Sequence, residues 1–175
     1  MIDDVELLDV YDDNGTKTGK VVKRKTKDSS FNAGEHIAVA VIYIENDNNE
    51  FLIQKTSKQK GGLYSLTGGH VAHNEKPIDT IKREVKEELC IDIDNDDIVD
   101  LGYINFDFPI RFIFYLKKNI DLNDIVLKKD EVESVSYMTC NEIRDIIEKS
   151  LMHKAHAKVL ERVLEYRNSI IYKNQ

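Results

Sequence analysis

The sequence predicts an α/β (α+β) fold built around a central mixed sheet. Three observations carry that reading. Short runs rich in β-branched and aromatic residues, such as "HIAVAVIYIEN" and "RFIFYLKK", recur between turn residues. A few segments have helical periodicity instead, and they are interleaved with the strands. The chain has 175 residues, 41% of them hydrophobic, which is enough for a real core and short enough for one domain.

In chain order, "VELLDVYDDNGTKTGKVVKR" reads as two strands around an Asp-Asn-Gly turn. "HIAVAVIYIEN" is nearly continuous in apolar character, as a central strand should be, and after the polar turn "DNNE" the segment "FLIQKT" is its expected antiparallel partner. "LYSLTGG" is a short strand ending at Gly68 and Gly69, a helix follows from Pro77, and "DNDD" closes it with a turn. "IVDLGYINFDF" and "RFIFYLKK" form a hairpin around Pro109, "IDLNDIVLKKDE" a loop, and "VESVSYMT" the last strand. Asn141 is the expected cap of a helix over "EIRDIIEKS", and "HKAHAKVLERVLEYRNSIIY" is a long amphipathic helix packed on the sheet. The organisation expected is one domain over 1–175, with an N-terminal hairpin (1–30), a core (31–140) and C-terminal helices (141–175).

The formal net charge is −7, which argues against a general nucleic-acid surface. An acidic protein that takes an anionic substrate needs a local positive site or a metal. The basic run Lys17, Lys20, Lys23, Arg24, Lys25 and Lys27 sits on a two-stranded ribbon, where such a run reads as a solvated or edge-protecting face. Cys90 and Cys140 have no metal-like spacing and read as two reduced thiols. With no secretory h-region and no apolar run long enough to span a bilayer, the expectation is a cytoplasmic protein with no membrane partner.

"GGHVAHNEKPIDTIKREVKEELCI", residues 68–91, carries the chemistry. At about 100° per residue, Ile78, Ile81, Val85 and Leu89 form one apolar stripe, and Glu84, Glu87 and Glu88 a second stripe beside it. The acids therefore line the seam between helix and sheet, where carboxylates are partly desolvated and repel one another. A hard divalent cation resolves that repulsion, since Mg²⁺ takes carboxylate and carbonyl oxygens. Glycine at 68 and 69 lets backbone come close enough to contribute. His36, His70 and His73 flank this segment without metal-ligand spacing and read as surface or supporting residues. Tyr64, Tyr103, Phe106 and Phe108 read as core aromatics first and as a stacking surface second, and Arg111 beside them is a possible anion contact.

Gly69, Glu75, Arg83-Glu84-Val85, Glu87-Glu88 and Ile91 stand at the spacings of G-x5-E-x7-R-E-U-x-E-E-x-G-U, so the segment resembles the Nudix box. One position departs from it: Cys90 replaces the late glycine, which implies a strained turn there with the metal ligands unaffected. The resemblance implies a Nudix-type α/β/α sandwich over most of the chain. It also implies Mg²⁺ (or Mn²⁺) held by Glu84, Glu87, Glu88 and the carbonyl of Gly68. Glu75 would orient the site, Gly69 would open it, and Arg83 would hold the carboxylates by a salt bridge. The reaction implied is attack of a metal-activated water on a diphosphate, with Glu84 or a later acid, Glu131 rather than Asp130 or Glu133, as general base. Lys55 and Arg111 are further substrate contacts.

The region before the box is similar to Nudix proteins grouped with isopentenyl-diphosphate isomerases. Those carry a cysteine where this chain has Gly68, so hydrolysis of a small-molecule diphosphate is favoured over isomerisation. A nucleotide-binding domain without catalysis is the third reading, disfavoured by the complete carboxylate set. A homodimer through the N-terminal hairpin is compatible with all three.

Overall fold

The computed structural model describes residues 6–24, 31–106 and 108–173; Lys25, Lys27 and most of the expected loop between hairpin and core lie outside the described residues. β1 (Leu7–Tyr11) and β2 (Lys17–Lys23) form the N-terminal hairpin. The Asp12 carboxylate closes its turn by accepting the N–H groups of Asn14 and Thr16, both at 2.9 Å. β3 (His36–Glu45) is the central strand, as its apolar run predicts. The parallel strand β8 (Ile110–Lys117) occupies one edge of β3 from Ala38 to Glu45. Its other edge is shared in succession by β1, β6 (Thr67–His70) and the start of β4 (Phe51–Thr56).

Here the structure corrects the hairpin expectation. β4 pairs with β3 at Glu45–Phe51 and then diverges, taking β5 (Tyr64–Ser65) on one side and β9 (Val132–Met138) on the other. "LYSLTGG" accordingly splits into two short strands, one on each side of the divergence. β7 (Ile98–Asn105) pairs antiparallel with β8 as the aromatic alternation predicts.

α1 (Pro77–Leu89) packs on one face, where Ile81, Val85 and Leu89 are fully buried against Ala40, Ile42 and Phe114. α2 (Cys140–Glu148) and α3 (Ala155–Lys173) cover the opposite face, with Ile143, Val159 and Val163 against Tyr43, Ile53 and Ile113. The arrangement is an α/β/α sandwich around a mixed sheet. Alternation along β3 and β8 sends successive residues to opposite layers. Thr139, not Asn141, caps α2. Its side chain accepts the Glu142 N–H while Glu142 reaches back to the Thr139 N–H, a capping box that leaves Asn141 inside the first turn.

Candidate active site

α1 starts without a side-chain cap at Lys76 and ends at Cys90, which adopts a left-handed conformation (φ 60°, ψ 31°). Cys90 thus takes the backbone geometry that glycine favours, and its N–H still closes on the Lys86 carbonyl at 3.0 Å. The two carbonyls before it are met from outside the helix. Val126 N–H donates to the Leu89 carbonyl at 3.1 Å and Lys128 N–H to the Glu88 carbonyl at 3.1 Å. Those bonds lay the 122–131 loop across the end of α1 and bring Glu131 to its acids.

The loop before α1 is set by a single carboxylate. Glu75 accepts from Arg83 (2.8 and 3.1 Å), Thr80 Oγ1 (2.7 Å) and Ala72 N–H (3.1 Å). Burial works against its charge, but these donors hold its pKa below the usual carboxylate value. Arg83 then reaches Glu84 Oε1 at 2.8 Å, Glu87 at 3.5 Å and the His70 carbonyl at 3.3 Å. Arg83 is therefore the post on which the loop and the acids hang together.

The three helix acids are not equivalent. Glu88 is buried and accepts from Gln54 Nε2 at 3.1 Å, and Gln54 in turn accepts from Thr67 Oγ1 at 3.1 Å across the divergence of β3 and β4. Burial, reinforced by repulsion from Glu84 and Glu131, pushes Glu88 up to about 8. Burial also raises Glu84, with Arg83 offsetting part of the effect and Glu87 and Glu131 adding to it. The Glu87 side chain is 47% exposed against 13% for Glu84. The seam predicted from periodicity holds for two acids, while the third faces water. Its angular position, about 120° from the nearest edge of the apolar stripe, accounts for that.

Glycine is required at 68, where the neighbour is backbone, and at 69 it leaves room for the Glu84 carboxylate. A Cβ on Gly69 would stand 2.0 Å from Glu84 Oε1, and one on Gly68 would stand 2.1 Å from the Ala40 carbonyl oxygen. The donor set has the chemistry of a dication site: two desolvated carboxylates, each with a raised pKa, beside a backbone that side chains cannot block. Among the described residues no group of three His, Cys, Asp or Glu side chains is arranged to hold a metal ion, and Arg83 occupies Glu84.

Glu131 lies 2.6 Å from Lys128 and 3.6 Å from Lys60, and these cations keep its pKa below the usual value despite partial burial. Ser57 fixes this loop, donating its N–H to the Glu131 carbonyl at 2.8 Å and its hydroxyl to the Asp130 carbonyl at 2.6 Å. Lys55 points to Glu133 at 3.1 Å. Arg111 is not brought to this site. It shares a row with Val39 and His70 across β8, β3 and β6, on the face covered by α3. Strand alternation is the reason, since Phe112 and Phe114 face α1 and Arg111 and Ile113 do not.

Two supporting residues on the strands escape a reading of the sequence. Gln54 is one, placed by the course of β4. Asp9 is the other: it accepts from Lys17 (2.6 Å), His73 Nδ1 (2.7 Å) and Asn74 N–H (3.0 Å), and so ties the N-terminal hairpin to the loop before α1. Lys17 also donates to the Glu75 carbonyl at 3.0 Å, and Lys20 pairs with Glu35 at 2.6 Å. These two members of the basic run serve the fold of the hairpin.

A family model for the NUDIX domain matches residues 34–163. The chain is 29% identical over 143 residues to an uncharacterised Nudix hydrolase of Listeria monocytogenes, covering 79% of this chain and 83% of that one. It is 37% identical over 79 residues to an 8-oxo-dGTP diphosphatase of Proteus vulgaris, covering 45% of this chain and 68% of that one. In fold it is similar to a solved protein of Deinococcus radiodurans (TM-score 0.67, 15% identity, 82% of this chain and 89% of that one). It is similar also to the NUDIX domain of Shewanella oneidensis NrtR complexed with ADP ribose (TM-score 0.61, 13% identity, 81% and 94%). The family match spans the central strand, the acid helix and most of the covering helices, and the two sequence relatives are a Nudix hydrolase and a nucleotide diphosphatase. The chain belongs to the Nudix hydrolase family.

Proposed function

We propose that this chain is a Mg²⁺- or Mn²⁺-dependent hydrolase that cleaves the diphosphate linkage of a nucleoside diphosphate joined to another moiety, or of a related organic diphosphate. The observation that carries the reading is the pair Glu84 and Glu88, two carboxylates with raised pKa values set against Gly68 and Gly69. Glu84, Glu88 and the Gly68 carbonyl would hold the ion, with Glu87 joining from the solvent side. Bound there, the dication would lower the pKa of a water and neutralise charge on the diphosphate.

The chain's own residues do the rest. Glu75 orients Arg83, and Arg83 holds Glu84 in place until its carboxylate is needed elsewhere. Gln54 fixes the rotamer of Glu88. Glu131, kept ionised by Lys60 and Lys128, is the residue we assign as general base, positioned by the Ser57 contacts to its loop. Lys60 and Lys128 lie on the same side and would meet the phosphates, and Lys55 can follow if it releases Glu133. Isomerisation is disfavoured because Gly68 supplies no thiol, and the backbone there leaves no room for a side chain beside the Ala40 carbonyl.

The similar proteins suggest part of the panel, 8-oxo-dGTP and ADP ribose, to which ordinary nucleotides, nucleoside-diphosphate sugars and isoprenoid diphosphates are added. Release of phosphate or of a nucleoside monophosphate in Mg²⁺, abolished by EDTA, is the expected result. Tight nucleotide binding without turnover in Mg²⁺ or Mn²⁺ would replace this reading with that of a binding domain. A cytoplasmic location belongs to the same proposal; no helix among the described residues is long and apolar enough to cross a membrane. A homodimer through the N-terminal hairpin is also part of it, and sedimentation of the protein tests that.

A further inference from the structure

On the face opposite the acids, a cavity of ≈ 520 Å³ opens between the end of the β7–β8 hairpin and the start of α3. Its size is that of a small-molecule site. Phe106, Phe108, Arg111, His153, Lys154 and Lys158 line it, so its wall is aromatic and cationic with no acidic side chain among the described residues. The chain as a whole carries a net charge of −7, so this wall runs against its average sign.

Arg111 is the anomalous residue. Its guanidinium stacks on Phe106 at 5.3 Å, and the Lys158 ammonium lies over the same ring at 5.9 Å. Arg111 Nε and Nη1 are buried and make no hydrogen bond among the described residues. Desolvation lowers its pKa, as burial of an unpaired cation must. Beside it the buried His156, whose Nδ1 is also unpartnered, is pushed down to about 3 by burial and by the charge of Arg111. It is a neutral imidazole and supplies no counter-charge. The first N–H groups of α3 do not create the positive field either. Those of Ala155, His156 and Ala157 are taken by His153 Nδ1, the His153 carbonyl and the Lys154 carbonyl.

Buried guanidinium donors without an acceptor are costly in a folded protein, and a guanidinium matches phosphate oxygens by charge and directed hydrogen bonds. Phe108 is half-exposed at the rim, where its ring packs edge-on with Phe31 at 5.0 Å, and its exposed part offers an apolar surface to a planar group. We propose that this cavity is a binding site for a ring-bearing organic phosphate, with the phosphate on Arg111 and Lys158 and the ring against Phe108. It rests on the function proposed above only in the choice of a nucleotide as probe.

Adenosine monophosphate, adenosine and inorganic phosphate are titrated by calorimetry into the full chain in EDTA. Without a dication, the acids on the other face repel phosphate. Adenosine monophosphate should bind more tightly than either fragment. Arg111→Gln should weaken it about 10- to 100-fold, the loss of a hydrogen-bonded charge contact. Lys158→Glu, an exposed change that leaves the fold intact, should weaken it about threefold or more. Glu88→Gln should leave it unchanged. Absence of binding in EDTA, or equal binding by wild type, Arg111→Gln and Lys158→Glu, would overturn the proposal, as would a loss that follows Glu88→Gln. A protein that binds the probe in this way and turns over no substrate would keep this site and refute the hydrolase; the converse would do the opposite.

Discussion

The two faces of the sheet handle charge in opposite ways. On the α1 face, acids are abundant and the inner ones are restrained: Glu75, Glu84 and Glu88 each have a donor, and Arg83 links the first two and reaches Glu87 at 3.5 Å. On the α3 face Arg167 is paired with the buried Glu45, but Arg111 sits on Phe106 with two guanidinium nitrogens unsatisfied among the described residues. β3 and β8 serve both faces through alternation, so one residue step changes which chemistry a side chain joins. The acid face is assembled by local sequence, from a loop and a helix within 23 residues, 69–91. The cationic face is assembled from the β7–β8 hairpin and the start of α3, which are some forty residues apart.

The largest effect that could break this comparison is Glu88→Gln. It keeps the volume and the Gln54 contact but removes the charge, and steady-state rates in Mg²⁺ should fall by more than the roughly 10- to 100-fold typical of outer partners of a metal site. Arg83→Gln comes next, with an expected loss within that 10- to 100-fold range and a higher Mg²⁺ requirement, since Arg83 orients Glu84 and need not touch the ion. Asp9→Asn should produce a smaller loss of the same kind, about 10-fold at most. A Mg²⁺ requirement that stays at the wild-type value in both variants would separate the hairpin and Arg83 from the acid site.

On the other face the expected effect is on stability. The folded state holds His156 neutral, with its pKa well below that of an unfolded histidine. The unfolded chain therefore gains a proton below about pH 6.5 that the folded chain refuses, and stability falls as pH falls from there towards about 3. His156→Leu should flatten the slope of chemical-denaturation midpoints between pH 7 and pH 5 relative to wild type. The smallest effect belongs to Cys90→Gly, which should stabilise by about 1 kcal/mol by relieving the left-handed residue, with rates unchanged.

How much of this was legible in the sequence follows the same division. The placement of Glu84 and Glu88 at the seam came from angular spacing alone, because helical periodicity fixes which side chains adjoin the apolar stripe. Position 68, which must be glycine, and position 69, where a side chain would displace Glu84, were legible as close approaches without a view of what approached. Thr139 was legible too, because Thr139 with Glu142 three residues on has the spacing of a capping box, which Asn141 lacks. Gln54, Asp9 and Lys128 were not legible, because each reaches α1 or its loops only through a tertiary contact. The face taken by Arg111 was likewise hidden, since alternation assigns residues to two sets and not to a particular helix. The parallel pairing of β3 with β8, which decides the matter, leaves no mark in either strand.

The central claim is that the acids of α1 hold a catalytic dication. Its most direct test is Mg²⁺-dependent release of nucleoside monophosphate from the best substrate of the panel, measured for wild type and Glu88→Gln in parallel from EDTA to saturating Mg²⁺. Turnover that appears with Mg²⁺ in wild type and is lost in the variant at every Mg²⁺ concentration is the result expected. Equal turnover by the two proteins, or turnover by wild type in EDTA, would contradict it.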